Sequence, residues 1–199
     1  MPHLPNVVTN NPLSTFAINP VGVSFESEEV GEKIILLLRP HIVTLIPPIL
    51  VTIFLIITPF LVRLFLNLIG VDLPAVLNPG QIFLIIIAWY LLVFGYAFFQ
   101  FLLWYFNVYL LTNERIVDFD FKGILSRQVS FAKLAQIEDV SPKTVGFFGT
   151  FFNYGNVYVQ TAGTTPEFEF EKVPHPDAVA EEIEEQVRIE EGEPPGVVA

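Results

Sequence analysis

The sequence predicts a membrane-embedded α-helical hairpin joined to a mainly-β domain of the α+β class, antiparallel strands closed by a C-terminal helix. Three observations predict it. Between Ile42 and Asn113 lie 72 residues with only two charged side chains, Arg63 and Asp72. After Glu114 the apolar residues recur every second position, as in half-buried strands. From Pro176 onward Val179, Ile183 and Val187 recur every fourth position, the stripe of an amphipathic helix.

The charge gap contains two uncharged runs dense in Leu, Ile and Phe, Ile42–Val62 and Gln81–Leu111. Each exceeds the roughly 18 residues that mark a spanning helix. At ~1.5 Å per residue the first run reaches about 31 Å, the thickness of a hydrocarbon core. The second would reach about 46 Å, so its last residues are expected to leave the bilayer before Thr112, giving spans of about 42–66 and 81–107. Gly70 through Pro74 and Asn78-Pro79-Gly80 are turn chemistry between them. Pro47, Pro48 and Pro59 fall in the first helix; each frees a carbonyl one turn earlier, to be satisfied by Thr44, Thr52 or a neighbouring group. Ala88 and Gly95 lie seven apart on one face of the second helix, which predicts close helix packing there.

Lys33 and Arg39 precede the first run and Arg115, Lys122 and Arg127 follow the second, while the loop between offers only Arg63 and Asp72. Positive-inside counting then puts both termini in the cytoplasm, in a multi-pass protein of the cytoplasmic membrane. Arg39, His41, Arg63, Trp104, Tyr105 and Tyr109 are the expected membrane-interface anchors. No Asp, Glu, Lys, Arg or His falls inside either run, which argues against an ion path, and two helices enclose no pore without oligomerising. An accessory role in a transporter is the remote alternative.

Composition bounds the rest. The chain has 199 residues, 52% hydrophobic and 16% charged, against about 25% charged in soluble domains; the average hides a membrane part and a charged part. The net charge of −11 is uneven, with eleven acids in Glu167–Glu193 against Lys172 and Arg188. With no basic patch, nucleic acid is not an expected partner. The absence of cysteine excludes disulfides and thiolate metal sites. The expected organisation is a disordered tail (1–24), a juxtamembrane segment (25–41), the hairpin (42–111), a cytoplasmic domain (108–190) and a second tail (191–199). The Pro/Asn-rich tail Met1–Ser24 lacks the basic and apolar regions of a signal peptide.

Within the soluble part, Val117, Phe119 and Phe121 form the expected inward face of one strand, and Leu125, Val129 and Phe131, with Arg127 among them, that of the next. Ile137–Ser141 reads as a short strand stopped by Pro142. Gly155–Thr161 and Glu167–Glu171 follow, with Ala162-Gly163-Thr164 as the turn. Such short connections make antiparallel pairs. Pro176 suits a first helical position and Gly192 ends the helix. Five or six strands and one helix make a small barrel or sandwich.

Here a family resemblance enters. Tyr109-Leu110-Leu111-Thr112-Asn113-Glu114-Arg115-Ile116, Gln136-Ile137-Glu138-Asp139-Val140, Phe152-Asn153-Tyr154-Gly155-Asn156-Val157 and Thr161-Ala162-Gly163 resemble the motifs of bacterial pleckstrin-homology-like membrane proteins. Gly31-Glu32-Lys33 and Arg39-Pro40-His41, ahead of two apolar runs, are similar to members with two transmembrane helices. The resemblance covers roughly Glu28–Arg188. It implies a pleckstrin-homology-like split barrel with a C-terminal helix, attached to the cytoplasmic membrane, without catalytic residues or cofactor. Lipid headgroup binding is not implied: Asp120-Phe121-Lys122-Gly123 carries one lysine rather than a basic cluster.

The candidate interaction residues are Phe147, Phe148, Phe151, Phe152 and Tyr154, with Arg127. The five aromatics fall within Gly146–Tyr154 and either plug one end of the barrel or meet a partner or the bilayer interface. Arg127 sits at the barrel rim or pairs with an acid such as Glu138. His3, His41 and His175 are scattered, so no metal site is expected, and no phosphate-binding, dinucleotide or nucleophile-elbow motif exists. The expected function is a non-enzymatic, membrane-anchored interaction or assembly module, with a protein partner or self-association and lipids around the hairpin. The alternative is a lipid or membrane-state sensor that uses the aromatic loop.

Overall fold

The computed structural model describes residues 11, 13–20, 22–23, 25, 31–71, 73–123, 126–144, 146–162 and 168–192. The chain forms two compact units, one of Met1–Thr44 with Leu103–Ala199 and one of Leu45–Leu102.

The helical unit is built from α1 (Ile46–Leu68), the short α2 (Leu73–Val76) and α3 (Pro79–Phe106), the last turn of α3 belonging to the other unit. Pro47 and Pro48 lie in the first turn of α1, where a missing N–H costs nothing. Pro59 lies inside it and frees the Leu55 carbonyl, and the Trp89 indole N–H of α3 donates to that oxygen at 3.0 Å. Tyr90 adds a hydroxyl bond to the Ile56 carbonyl. The partner of the freed carbonyl is thus the facing helix rather than Thr52, whose hydroxyl bonds the Pro48 carbonyl. Asn78-Pro79-Gly80-Gln81 is more than a turn. Asn78 and Gln81 exchange side-chain and backbone bonds of 2.9 and 3.0 Å, a reciprocal capping box that starts α3. The expected small-residue contact is absent, since Ala88 and Gly95 are both exposed and a Cβ at Gly95 would meet open space. Trp89 and Tyr90 meet α1 instead, through their bonds to the Leu55 and Ile56 carbonyls. Both helices are long and apolar enough to cross a membrane, with 0% and 6% of their most apolar windows buried, unlike core helices of a soluble fold.

In the other unit, β1 (Phe16–Ile18), β2 (Ile34–Leu38), β3 (Val108–Thr112), β4 (Arg115–Gly123) and β5 (Ser126–Lys133) form one antiparallel sheet in chain order. A second holds β6 (Ile137–Lys143), β7 (Tyr154–Thr161) and β8 (Phe168–Pro174), again in chain order. The helices α4 (Gly146–Phe152) and α5 (Pro176–Glu191) complete it. Leu36, Leu38, Leu111, Ile116, Val157, Val159, Phe170, Val173, Val179 and Ile183 pack as one core between the sheets and α5. The fold is pleckstrin-homology-like, but the two sheets do not hydrogen-bond into a closed barrel among the described residues.

The expected boundaries therefore shift. Phe16–Ile18 is a strand rather than part of a disordered tail, and Ile34–Leu38, inside the juxtamembrane segment, is a strand too, so the sheet of the domain takes in residues before 108. The apolar hairpin is an insertion between β2 and β3, which pair with Leu38 opposite Tyr109. Residues 1–10 and 193–199 of the two expected tails lie outside the described residues, while Glu191 ends α5 and Gly192 caps it with φ +78°.

Two strand faces also differ from expectation. The main core takes Ile116 and Ala132, whereas Val117, with Phe119 packed against it, belongs to a second cluster with Ala17, Ile34, Leu37 and Leu110, partly covered by Phe25. β4 buries one apolar residue on each face, Ile116 on the face that Asp118 and Asp120 continue and Val117 on the other. On the same side of the sheet β5 extends beyond that cover, which leaves Val129 and Phe131 exposed; Leu125 lies outside the described residues. β6 runs through Pro142 to Lys143 because it is an edge strand, where proline's missing donor is tolerated.

Candidate interaction surface

The aromatic segment Gly146–Phe152 is a helix, and its packing is inverted. Its single buried residue is Gly149, where a Cβ would stand 3.0 Å from the Tyr154 carbonyl oxygen and 3.3 Å from the Thr144 methyl. The glycine lets the helix backbone lie against the chain on either side, and every phenylalanine then points away. Phe147, Phe148, Phe151 and Phe152 are 77%, 62%, 70% and 37% exposed, so the plug reading does not hold. The rings contact one another: Phe147 stacks on Phe151, Phe148 on Phe152, and Phe151 meets Phe152 edge-on at 4.9 Å. Burying a phenylalanine is worth about 1.5–3 kcal/mol, and the four left outside form one contiguous exposed apolar patch.

Tyr154 opens β7 and is half-buried. Its ring stacks on His41 at 5.4 Å and 17°, and His41 directly precedes the 3-10 turn Ile42–Leu45 that leads into α1. The His41 backbone N–H donates to the Lys172 carbonyl. Burial, and then the nearby His175, hold the His41 pKa below its ordinary 6.5. His175 takes a left-handed conformation at φ +50°, and its Nδ1 shares a 2.7 Å hydrogen bond with the Asn153 amide. The aromatic helix thus ends beside the residues that lead into the first apolar helix.

The other expected interface residues divide. Arg39 is buried. Its guanidinium donates to the Tyr105 and Ser14 carbonyls and lies 4.9 Å from the Tyr105 ring centroid; burial lowers its pKa. Trp104 is buried and donates to the Pro40 carbonyl at 2.8 Å. These three residues tie the last turn of α3 to the strand end before α1. Tyr109 is not an interface residue. It is 6% exposed, stacks on Phe170 at 4.7 Å and accepts the Glu171 N–H through its hydroxyl, because its strand register turns it into the core; burial pushes its pKa well up. Arg63 is exposed on α1. Arg127 is exposed at the sheet edge, its guanidinium 5.4 Å from the Phe119 ring centroid.

One polar cluster went unread in the sequence. Arg115 forms a two-pronged ion pair with Glu32, at 2.9 Å from Nε and 2.8 Å from Nη2, and the Glu32 side chain is fully buried. Thr112 donates to the same carboxylate at 2.8 Å, and the Asn113 side chain accepts the Lys33 N–H. Gly31-Glu32-Lys33 and Thr112-Asn113-Glu114-Arg115, eighty residues apart, are the two halves of one structural clamp. The signal was a glutamate and an arginine in two separate motifs, but no spacing rule joins them. Among the described residues, no three His, Asp or Glu side chains gather as metal ligands would.

A family model described as bacterial PH domain matches residues 42–187. Among solved structures, a DUF1696 family protein with a pleckstrin-homology domain from Shewanella loihica PV-4 is similar over 42% of this chain and 68% of its own, at 19% identity and a TM-score of 0.30. No curated protein matches. The family model spans well over half of the sequence, and the chain belongs to the bacterial PH domain family.

Proposed function

We propose that this protein is a non-enzymatic, membrane-anchored PH-like module that works by protein contact, self-association included, at the cytoplasmic face of the membrane. The observation that carries the reading is α4, a helix that buries its glycine and exposes four phenylalanines. A soluble surface tolerates such a patch when something covers it. Anchoring is supported by two apolar helices of whose most apolar windows only 0% and 6% are buried, and the orientation by the lysines and arginines flanking the hairpin. Reporters at Asn78 and at the C-terminus test the orientation; a periplasmic C-terminus contradicts it. A photo-crosslinking residue at Phe148 in native membranes tests the contact, with a discrete protein adduct as the expected outcome.

A second reading, a sensor of the lipid surface, is favoured by the stack of Tyr154 on His41, since it joins the end of α4 to the residue that precedes the apolar hairpin in the chain. In that case a solvent-sensitive fluorophore at residue 151 reports an apolar environment in empty liposomes without any partner protein. An aqueous signal there removes this reading and leaves the protein-contact reading in place.

A further inference from the structure

At the loop end of the helical unit, α1, α2 and α3 enclose a groove of about 520 Å³, within the usual range for small-molecule sites (about 300–1,000 Å³). Val62, Leu66, Ile82, Ile86 and Trp89 make its wall apolar, and Arg63 lines it as well. Part of this wall is fixed in advance, because Trp89 is pinned by its bond to the carbonyl that Pro59 frees. Arg63 is the only cation between Ile42 and Asn113. It stands five residues before the end of α1, about 8 Å along the axis, a depth from which its side chain reaches the headgroup layer.

We propose that this groove seats one anionic phospholipid of the surrounding bilayer, an acyl chain along the apolar wall and the phosphate on Arg63. The proposal rests on the reading that the hairpin spans the membrane. Charge complementarity selects the occupant. Among the described lining residues, an apolar trough with a single guanidinium matches an apolar tail with a single anionic head, and a guanidinium meets phosphate through two parallel hydrogen bonds. A zwitterionic lipid offers the same tail without the net charge, so headgroup preference separates a built site from generic solvation by lipid.

The test uses the full chain, purified in detergent from carbonate-washed membranes. It is titrated with phosphatidylglycerol or with phosphatidylcholine of identical chains, and bound lipid is counted by native mass spectrometry. The wild type is expected to retain phosphatidylglycerol about tenfold more tightly, in line with a desolvated charge-assisted contact. Arg63→Gln should bring the ratio close to one, Arg63→Lys should keep part of it, and Ile86→Trp, which fills the groove, should lower retention of both lipids. An unchanged ratio in Arg63→Gln, unchanged retention in Ile86→Trp, or no preference in the wild type overturns the site while the membrane reading stands. Recovery of the protein in the carbonate supernatant overturns both.

Discussion

In the unit that holds the two sheets, the aliphatic side chains of the core are sealed from solvent: Leu36, Leu38, Ile116 and Ile183 are all fully buried. In the helical unit the same residue types form the surface, with Leu64, Leu84 and Leu91 about two-thirds exposed. Polar groups follow the opposite rule. The domain buries a complete ion pair, Glu32 with Arg115, while the described part of the hairpin has one charged side chain, exposed Arg63, and bonds its helices through aromatic donors to backbone carbonyls. The same apolar residue types thus lie inside one unit and on the surface of the other. Against this pair, α4 is the exception that teaches most. It belongs to the domain, yet its surface has the hairpin's character.

The contrast can be broken at its polar centre first. Glu32→Ala leaves the Arg115 guanidinium buried without its carboxylate, and losing one partner of a buried pair costs about 3–5 kcal/mol. Chemical denaturation of the purified full chain, followed by near-ultraviolet circular dichroism, should show the domain transition at much lower denaturant. Little change would mean that water replaces the carboxylate.

Paired truncations test the apolar half of the contrast. Ile116→Ala should cost about 2–5 kcal/mol, the usual price of a core cavity, whereas Leu64→Ala should stay within about 0.5 kcal/mol, as surface substitutions do. Comparable losses at both positions would mean that the hairpin face of Leu64 is packed against something. Trp89→Phe removes the donor to the Leu55 carbonyl; hydrogen bonds between helices in bilayers average about 0.6 kcal/mol and reach about 1.7. A thermal shift in micelles that is larger for this variant than for Leu64→Ala is the expected result.

The smallest expected effect is a pH dependence at the junction. The folded-state pKa of His41 is held below its unfolded value, so the unfolded chain binds the proton first. Stability from this group is complete above about pH 6.5 and falls as the pH drops below it. His175, Tyr154 and Lys172 are the groups that face it. Thermal unfolding across pH 7.5 to 5.5 should show a downward shift that His41→Phe reduces. An equal shift in that variant assigns the effect elsewhere.

The hairpin was legible from charge alone, and α5 from its four-residue stripe and terminal glycine, because both patterns are local. The N-terminal strands were not. Phe16–Ile18 is too short to show a period, and Ile34–Leu38 is a continuous apolar run whose alternation disappears because both faces of the sheet are covered. Tyr109 looked interfacial because it follows an aromatic helix end, yet the strand register turns it inward. The phenylalanines of α4 were legible as a cluster, but their direction depends on Gly149, whose role appears only when the Tyr154 carbonyl lies 3.0 Å from where a Cβ would be. The clamp joins residues 80 or more apart, beyond any sequence window. A fragment beginning at Glu114 would lose β1, β2 and β3, so functional tests belong on the whole chain.

The central claim is that the outward phenylalanines of α4 are a contact surface. The chain has no cysteine, so single cysteines introduced at Phe148 and, as a solvent-facing control, at exposed Glu181 on α5 can carry the same spin label in native membranes. The account predicts a label at 148 that is immobilised and shielded from a water-soluble relaxation agent, beside a mobile and accessible label at 181. Equal mobility and equal accessibility at the two positions would contradict it.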